Sequence, residues 1–388
     1  MYPRPQQAGI CDTRRLIVRL ILTGGGTGGH LYPALAILEA LREQTEVEAL
    51  FAGTRRGIEA GVIPREGIPF TPVWISGISR GRLWGNLLFP VKMGVSLIQS
   101  LSMILRFRPD AVIGTGGYVS WPVLRAGQIL GKPTFLQEQN RLPGLVTRIL
   151  SKRVRRLYLS FEGSRSVFKR QDNLCVTGNP TREAIQETDR KTAIQMFRLD
   201  PGRKTLLIFG GSQGARGLNR AMVSVLPALM QADDWQVLWA AGPRWENEIR
   251  DACLDWGKRI RVLSYIEAMG AAYAAADLVI CRAGATTVSE VTRLGLCVLF
   301  IPFPAAAEGH QEANARVLVD AGAAEMVCES EVQGRLLSRL FGLMDNPDLR
   351  RGMGEKAKTF GRPQAARDIA ADILTQLQRT GSDGRKAS

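Results

Sequence analysis

Short, almost continuously apolar runs recur along the chain, separated by segments in which apolar positions return every three or four residues. The runs are 16-LIVRLIL-22, 48-EALFAG-53, 111-AVIG-114, 134-TFLQ-137, 205-TLLIFG-210, 236-QVLWAAG-242, 277-DLVICRAG-284 and 297-CVLFIP-302. Runs of this length without polar alternation predict strands covered on both faces. Segments such as 33-PALAILEALREQ-44 and 217-GLNRAMVSVLPALMQ-231 predict the helices that cover them. Strand and helix alternate, which is the pattern of a parallel, doubly wound α/β sheet. The pattern then starts again: residue 205 opens a strand, a glycine-rich turn and a helix, as residue 16 did. The expected fold is therefore two Rossmann-like doubly wound parallel-sheet domains facing a deep cleft, joined near 178-GNPTREAI-185. The expected boundaries are a loose leader at 1–14, an N-terminal domain at 15–180, a C-terminal domain at 181–375 and a disordered tail at 376–388, ending 379-RTGSDGRKAS-388.

Ligands of such sheets bind at the carboxyl ends of the strands, where chain order reverses. The turns expected there are rich in glycine: 24-GGGTGG-29, 114-GTGGYVS-120 and 210-GGSQGA-215, with a fourth turn of small and hydroxylated residues, 283-AGATTVSE-290. Glycine lets backbone N–H groups approach an anion, and the following helix start adds about half a positive charge. Any one such turn also serves plain strand-to-helix packing; several spread over both halves point to a ligand held between domains. Gly24, Gly26 and Gly29 satisfy GxGxxG, which keeps an NADP-dependent oxidoreductase open. The second strand, however, ends 52-AGTRRG-57, without the acid that grips a ribose. No GxxxxGK[ST] occurs, which disfavours a P-loop nucleotidase.

Charge narrows the partners. The 388 residues carry a net charge of +15, and the excess is uneven. Residues 1–180 hold 24 Lys and Arg against 11 Asp and Glu, whereas the remainder holds 27 against 25. The first half is thus expected to face something anionic: nucleic acid, an acidic membrane surface or a phosphorylated substrate. No recognisable nucleic-acid module accompanies the charge. The six cysteines show no CxxC and no Cys/His pairing, which argues against a zinc site and for a reducing compartment. The run 16-LIVRLILTGGG-26 is short for a signal peptide and is broken by Arg19, and no stretch of 18 apolar residues exists. There is no Asp-x-Asp, so a chelated metal is not demanded.

Among titratable groups, the two histidines carry most information. His30 ends the first glycine turn and His310 lies in 307-AEGHQEAN-314. A histidine beside an anion-binding backbone is placed to take a proton from an attacking hydroxyl, although hydrogen-bonded structural histidines are common. Glu290 can accept hydrogen bonds from ribose hydroxyls, or simply complement the helix dipole. The amides of 137-QEQN-140, Gln311 and Asn314 offer the mixed donors and acceptors that sugar hydroxyls require. A leaving diphosphate could be stabilised by helix starts, Ser212 and Arg182.

Taken in order, 24-GGGTGGH-30, 116-GGYVS-120, 138-EQN-140, 178-GNPTR-182, 210-GGSQGA-215, 281-CRAGATTVSE-290 and 309-GHQEANA-315 form a set, spread over about residues 15–375, that resembles the MurG family. These are bacterial UDP-N-acetylglucosamine:undecaprenyl-diphospho-muramoylpentapeptide N-acetylglucosaminyltransferases. The resemblance implies a GT-B fold and an inverting transfer of GlcNAc to the C4 hydroxyl of a lipid-linked MurNAc; no cofactor is expected. It implies a UDP-GlcNAc donor held mainly by the second domain and an undecaprenyl-diphosphate-linked muramoyl-peptide approaching the first. By the same resemblance Thr27, Gly28 and Gly29 line the diphosphate side of the cleft, Asn140 and Gln311 contact the GlcNAc, and Arg182 and Ser212 lie near the nucleotide phosphates. The Ile266 backbone meets the uracil edge; Ala285, Thr286, Thr287, Val288 and Ser289 cap the phosphates; Glu290 takes the ribose; and His30 matches the family's candidate base. A GT-B transferase with another lipid acceptor would share the second-domain motifs. Two departures stand out: Gln137 replaces a histidine found in some relatives, and 305-AAAEG-309 is smaller than in others.

The family resemblance also gives the basic half a use. The stretch 74-WISGISRGRLWGNLLFPVKMG-94 mixes Trp74, Ile75, Ile78, Leu83, Trp84, Leu87, Leu88 and Phe89 with Arg80, Arg82 and Lys92. Apolar side chains rimmed by cations suit shallow insertion into anionic inner-leaflet lipids; a buried helix with cationic ends is the competing reading. The expected location is peripheral, at the cytoplasmic face of the bacterial inner membrane, with no nucleic acid as partner.

Overall fold

The computed structural model describes residues 17–77, 87–181 and 188–386. The expected leader at 1–14, Ile78, Arg80, Arg82, Leu83 and Trp84 of the basic stretch, and Arg182 lie outside the described residues.

Seven strands build the first sheet: β1 Val18–Thr23, β2 Val47–Gly53, β3 Phe70–Pro72, β4 Ala111–Gly114, β5 Thr134–Glu138, β6 Arg156–Leu159 and β7 Leu174–Val176. They lie in the order β3-β2-β1-β4-β5-β6-β7, every neighbouring pair parallel. Six build the second: β8 Lys204–Phe209, β9 Trp235–Ala240, β10 Ile260–Leu263, β11 Leu278–Cys281, β12 Val298–Phe300 and β13 Glu325–Met326. Their order is β10-β9-β8-β11-β12-β13, again parallel throughout. The eight apolar runs are all strands. The other five strands, β3, β6, β7, β10 and β13, are two to four residues long and sit toward the sheet margins. Too short or too polar to form an apolar run, they are held by their neighbours' ladders.

Chain order reverses between β1 and β4 in the first sheet and between β8 and β11 in the second. The four glycine and hydroxyl turns follow these four strands. Each sheet therefore presents two backbone-rich turns side by side at its switch point.

The C-terminal end of the second unit differs from expectation. The helix Ala365–Lys386 does not stay with the second sheet. Its Ile369, Ala370 and Ile373 are buried in the same cluster as Leu35 and Leu38 of the helix Gly28–Gln44, beneath the first sheet. Tyr158 Oη donates to Asp372 at 2.8 Å, and Arg155 Nε donates to Gln376 Oε1 at 3.1 Å. The chain thus crosses between domains twice, near 177–181 and near 360–365. The expected disordered tail at 376–388 is helical through Lys386, with Gln376 buried. Its polar composition hides a helix whose apolar stripe lies just upstream.

Candidate active site

At the first switch point, β1 delivers into the turn and Thr27 becomes the N-cap residue of the helix Gly28–Gln44, with φ −142° and ψ 158°. No side chain caps this helix. The first N–H groups of a helix have no intrahelical acceptor, so Gly28 and Gly29 offer theirs to a ligand. A residue the sequence did not single out braces the turn from below. The carboxylate of Glu59, fully buried, accepts from Gly26 N at 3.0 Å, Thr54 N at 2.9 Å and Thr54 Oγ1 at 2.7 Å. It lies so close that a Cβ on Gly25 or Gly57 would meet it within 2.5 Å. Glycine is needed at both positions because this acid leaves no room for a side chain.

His30 is held by the second glycine turn. Its Nδ1 lies 3.0 Å from the carbonyl oxygen of Thr115 and 3.1 Å from Gln139 Oε1. A carbonyl only accepts, so Nδ1 carries the hydrogen and Nε2 keeps its lone pair, which is the tautomer a general base needs. Gln139 is buried and fixed in turn: its Nε2 donates to Thr115 O at 2.6 Å and to Gln137 Oε1. Gly116 and Gly117, at φ +93° and +77°, press against the imidazole; a Cβ on Gly116 would stand 2.9 Å from Nδ1. Any other residue there would be strained and would displace the ring.

The second switch point is built alike but furnished differently. The helix Ala285–Leu294 begins after Gly284 with no side-chain cap. Its first N–H groups are open, and Thr286 Oγ1 is buried without a partner among the described residues. A buried hydroxyl with nothing to bond marks a position prepared for a ligand. Thr287 and Ser289 are half-buried beside it. Val288 differs: its side chain is in the core and its N–H closes on Gly284 O at 2.9 Å, so it anchors the helix start and does not face a phosphate. Glu290 accepts from Tyr273 Oη at 2.7 Å. Burial pushes its carboxyl up to about 7, with the Tyr273 bond pulling the other way. Ile266 is buried, and neither its N–H nor its C=O is taken by another described residue, which leaves a backbone edge for a base. Ser212 is exposed in the turn after β8.

Residues of the two domains meet across the gap. Asn314 Nδ2 donates to Asn140 Oδ1 at 3.2 Å, and Asn314 Oδ1 accepts from Arg141 N at 2.8 Å. Arg148 pairs with Glu308. Asn140 is itself set by Glu138, whose Oε1 accepts from Asn140 N at 3.0 Å. Gln311 Oε1 accepts from Phe303 N at 2.9 Å. His310, from the second domain, feels both Glu138 and His30 from the first: burial lowers its pKa, Glu138 opposes this and His30 adds to it. Gln137, by contrast, is buried behind the site, donating to Ser160 Oγ at 3.1 Å.

Comparison with known proteins agrees with this geometry. Residues 20–159 match the glycosyltransferase family 28 N-terminal domain and residues 205–370 its C-terminal domain. The chain is 40% identical over 370 residues to the UDP-N-acetylglucosamine–N-acetylmuramyl-(pentapeptide) pyrophosphoryl-undecaprenol N-acetylglucosamine transferase of Desulforamulus reducens, covering 93% of this chain and 100% of that one. It is 41% identical over 369 residues to the protein of the same name from Moorella thermoacetica, with 93% and 100% covered. The crystal structure of Acinetobacter baumannii MurG superposes with a TM-score of 0.75 at 30% identity, over 92% of this chain and 99% of that one. With two parallel switch points facing one cleft, and relatives this similar along nearly the whole length, the chain belongs to the MurG family of UDP-N-acetylglucosamine–N-acetylmuramyl-(pentapeptide) pyrophosphoryl-undecaprenol N-acetylglucosamine transferases.

Proposed function

We propose that this chain is an inverting glycosyltransferase that moves GlcNAc from UDP-GlcNAc to the C4 hydroxyl of MurNAc in undecaprenyl-diphospho-MurNAc-pentapeptide, the step that completes the lipid-linked disaccharide of peptidoglycan. The observation that carries the chemistry is the His30 arrangement: Nδ1–H donated to Thr115 O leaves Nε2 free to accept a proton. The acceptor hydroxyl attacks C1 of GlcNAc from the face opposite the diphosphate, its proton passes to Nε2, and UDP departs with the C1–O bonding pair. The charge on the departing diphosphate is met by the uncapped start of the helix Ala285–Leu294, by the Thr286 and Thr287 hydroxyls, and by Ser212 and Arg182; the expected Ser289 hydroxyl is instead donated to Ala285 O at 3.0 Å. Thr27, Gly28 and Gly29 meet the acceptor diphosphate on the other side. Uracil pairs with the Ile266 backbone, the ribose with Glu290, and the sugar with Asn140 and Gln311. The backbone donors are fixed before substrate arrives, so they cost no reorganisation during the reaction.

Calorimetric titration separates this reading from its rivals. UDP-GlcNAc and UDP bind, while NADPH and a short oligonucleotide do not. Binding of NADPH in place of UDP overturns the assignment.

The acceptor is lipid-borne, and the first domain offers a surface for its membrane. No described helix is long and apolar enough to cross a bilayer. On the helix Phe89–Phe107, Val91, Ile98 and Leu105 repeat every seven residues and are all exposed, as are Leu87 and Leu88 just before it. Trp74 is also exposed, whereas Ile75 is buried in the core and drops out of the expected patch. Lys92 lies 6.0 Å from the Trp74 ring centroid and donates to Ser76 Oγ at 3.0 Å. An apolar stripe of this kind on a basic half supports peripheral attachment to anionic lipids at the cytoplasmic face of the inner membrane.

A further inference from the structure

Behind the cleft, at the hinge, lies a cavity of about 430 Å³ that the reaction above does not use. Its walls come from both domains and from both chain crossings, residues 176–181 and 359–362. The crossings touch: Gly178, at φ +91°, leaves no room for a Cβ, which would stand 2.4 Å from the Cβ of Arg362. Three arginines are among the lining residues, Arg141, Arg293 and Arg362. The one carboxylate among the lining residues, Glu162, is paired with Arg165 at 2.8 Å.

Two donors in this wall are unsatisfied among the described residues. Arg293 Nη1 is buried with no acceptor, and so is Asn179 Nδ2, on a side chain only 3% exposed. The Asn179 amide oxygen already accepts from Gln137 Nε2 at 3.4 Å. Buried donors without acceptors are uncommon, and an unpaired buried guanidinium is more costly than a neutral amide. The rest of the wall mixes aromatic and aliphatic side chains, Phe161, Val176, Leu318 and Phe360 among them, with five serine and threonine residues. Cations and open N–H groups together with aromatic and aliphatic surface complement an anionic head on an apolar body.

We propose that this cavity binds a small organic phosphate monoester, at a site separate from the helix start that meets the donor diphosphate. Arg293 and Arg141 grip the phosphate, with Asn179 Nδ2 as a further donor, and the Phe161–Phe360 side covers the body. Because both crossings form the wall, a bound ligand favours the domain angle whose cavity fits it, and so couples the hinge to the cleft.

The test is calorimetry on the full chain saturated with UDP, titrated with inorganic phosphate and then with phenyl phosphate. Both bind, phenyl phosphate about tenfold more tightly because its ring is buried. Arg293→Gln weakens both by about 10- to 100-fold, the expected loss of a charge-assisted hydrogen bond. Thr286→Val, at the donor helix start, leaves both affinities as they were. Arg362→Gln serves as a second, more exposed probe should Arg293→Gln fail to melt cooperatively. The proposal is overturned if neither phosphate binds the UDP-saturated protein, if both arginine variants bind as the parent does, or if the loss follows Thr286→Val instead. That last result would place the phosphate in the donor site and leave the transferase reading intact; failure of UDP itself to bind would strike that reading alone.

Discussion

The two domains share one architecture and differ in what they place at the same point of it. Each sheet reverses order beside its first strand, and each offers an uncapped helix start there. In the first domain the turn is underpinned by the buried Glu59 carboxylate, and it ends on an imidazole locked by Thr115 and Gln139. In the second the hydroxyls lie one strand over, in the turn after β11, the counterpart of β4, where an unpartnered Thr286 Oγ1 is followed by Glu290. A doubly wound sheet supplies backbone donors wherever it switches. Side chains decide whether those donors sit beside a proton acceptor or beside a leaving group.

The division of labour breaks most visibly at His30. His30→Ala lowers kcat by about 100- to 10,000-fold, the range for a lost general base, while UDP affinity, a property of the other domain, stays within twofold. Steady-state rates with a soluble acceptor and a UDP titration measure the two halves separately. Near-normal turnover removes His30 from the mechanism, and a parallel loss of UDP binding ends the claim that the domains act separately.

Charge offers a second contrast, since the excess of cations lies almost wholly in the first 180 residues. Replacing Arg80, Arg82 and Lys92 together by Glu releases the protein from vesicles containing anionic lipid, by at least about 100-fold in partitioning at roughly 1 kcal/mol per cation. Turnover of a water-soluble acceptor is unaffected. Unchanged vesicle binding removes the membrane face from this domain.

In the second domain the sharper probe is pH. Burial holds the Glu290 carboxyl at about 7. The folded chain therefore keeps a proton there, between the ordinary glutamate range and about pH 7, that the unfolded chain has released. This group's contribution to stability is present at low pH and is lost as pH rises through about 7. Donor binding runs the opposite way, because ribose hydroxyls donate to the ionised form. Affinity for UDP-GlcNAc rises about tenfold from pH 6 to pH 8, following the ionised fraction. In Glu290→Gln that rise flattens. A rise that persists in the variant assigns the titration elsewhere.

These contrasts were legible in the sequence to different depths. The apolar runs announced all the central strands, because a strand covered on both faces must be apolar throughout. The glycine turns announced the switch points, because close backbone approach excludes side chains. What escaped was whatever depends on partners distant in sequence. Glu59 reads as an ordinary helix-start acid until the fold brings Gly26 to it. Val288 reads as part of a phosphate-binding run until helical phase turns it into the core. The C-terminal helix reads as belonging to the second domain, since only Ile369 and Ile373, packed under the first sheet, say otherwise. Nor could spacing alone say that Asn140 and Asn314 meet.

The finest test of the first switch point concerns Gln139, which touches no reacting atom in the proposed mechanism and acts through His30. Its Oε1 lies 3.1 Å from Nδ1, beside the Thr115 carbonyl, so it helps to hold the ring and the tautomer. Gln139→Glu keeps the shape and replaces a neutral acceptor with a carboxylate. An opposite charge at hydrogen-bond distance favours the imidazolium. The acidic limb of the kcat profile then moves to higher pH, and the rate at neutral pH falls several-fold while KM for the donor holds. Gln139→Leu lowers the rate by a similar factor without moving the limb, because it removes an orienting contact and adds no charge. A merely structural role for Gln139 gives equal losses in both variants and one unmoved profile; a displaced limb in the glutamate variant alone identifies the imidazole as the group whose ionisation sets the rate.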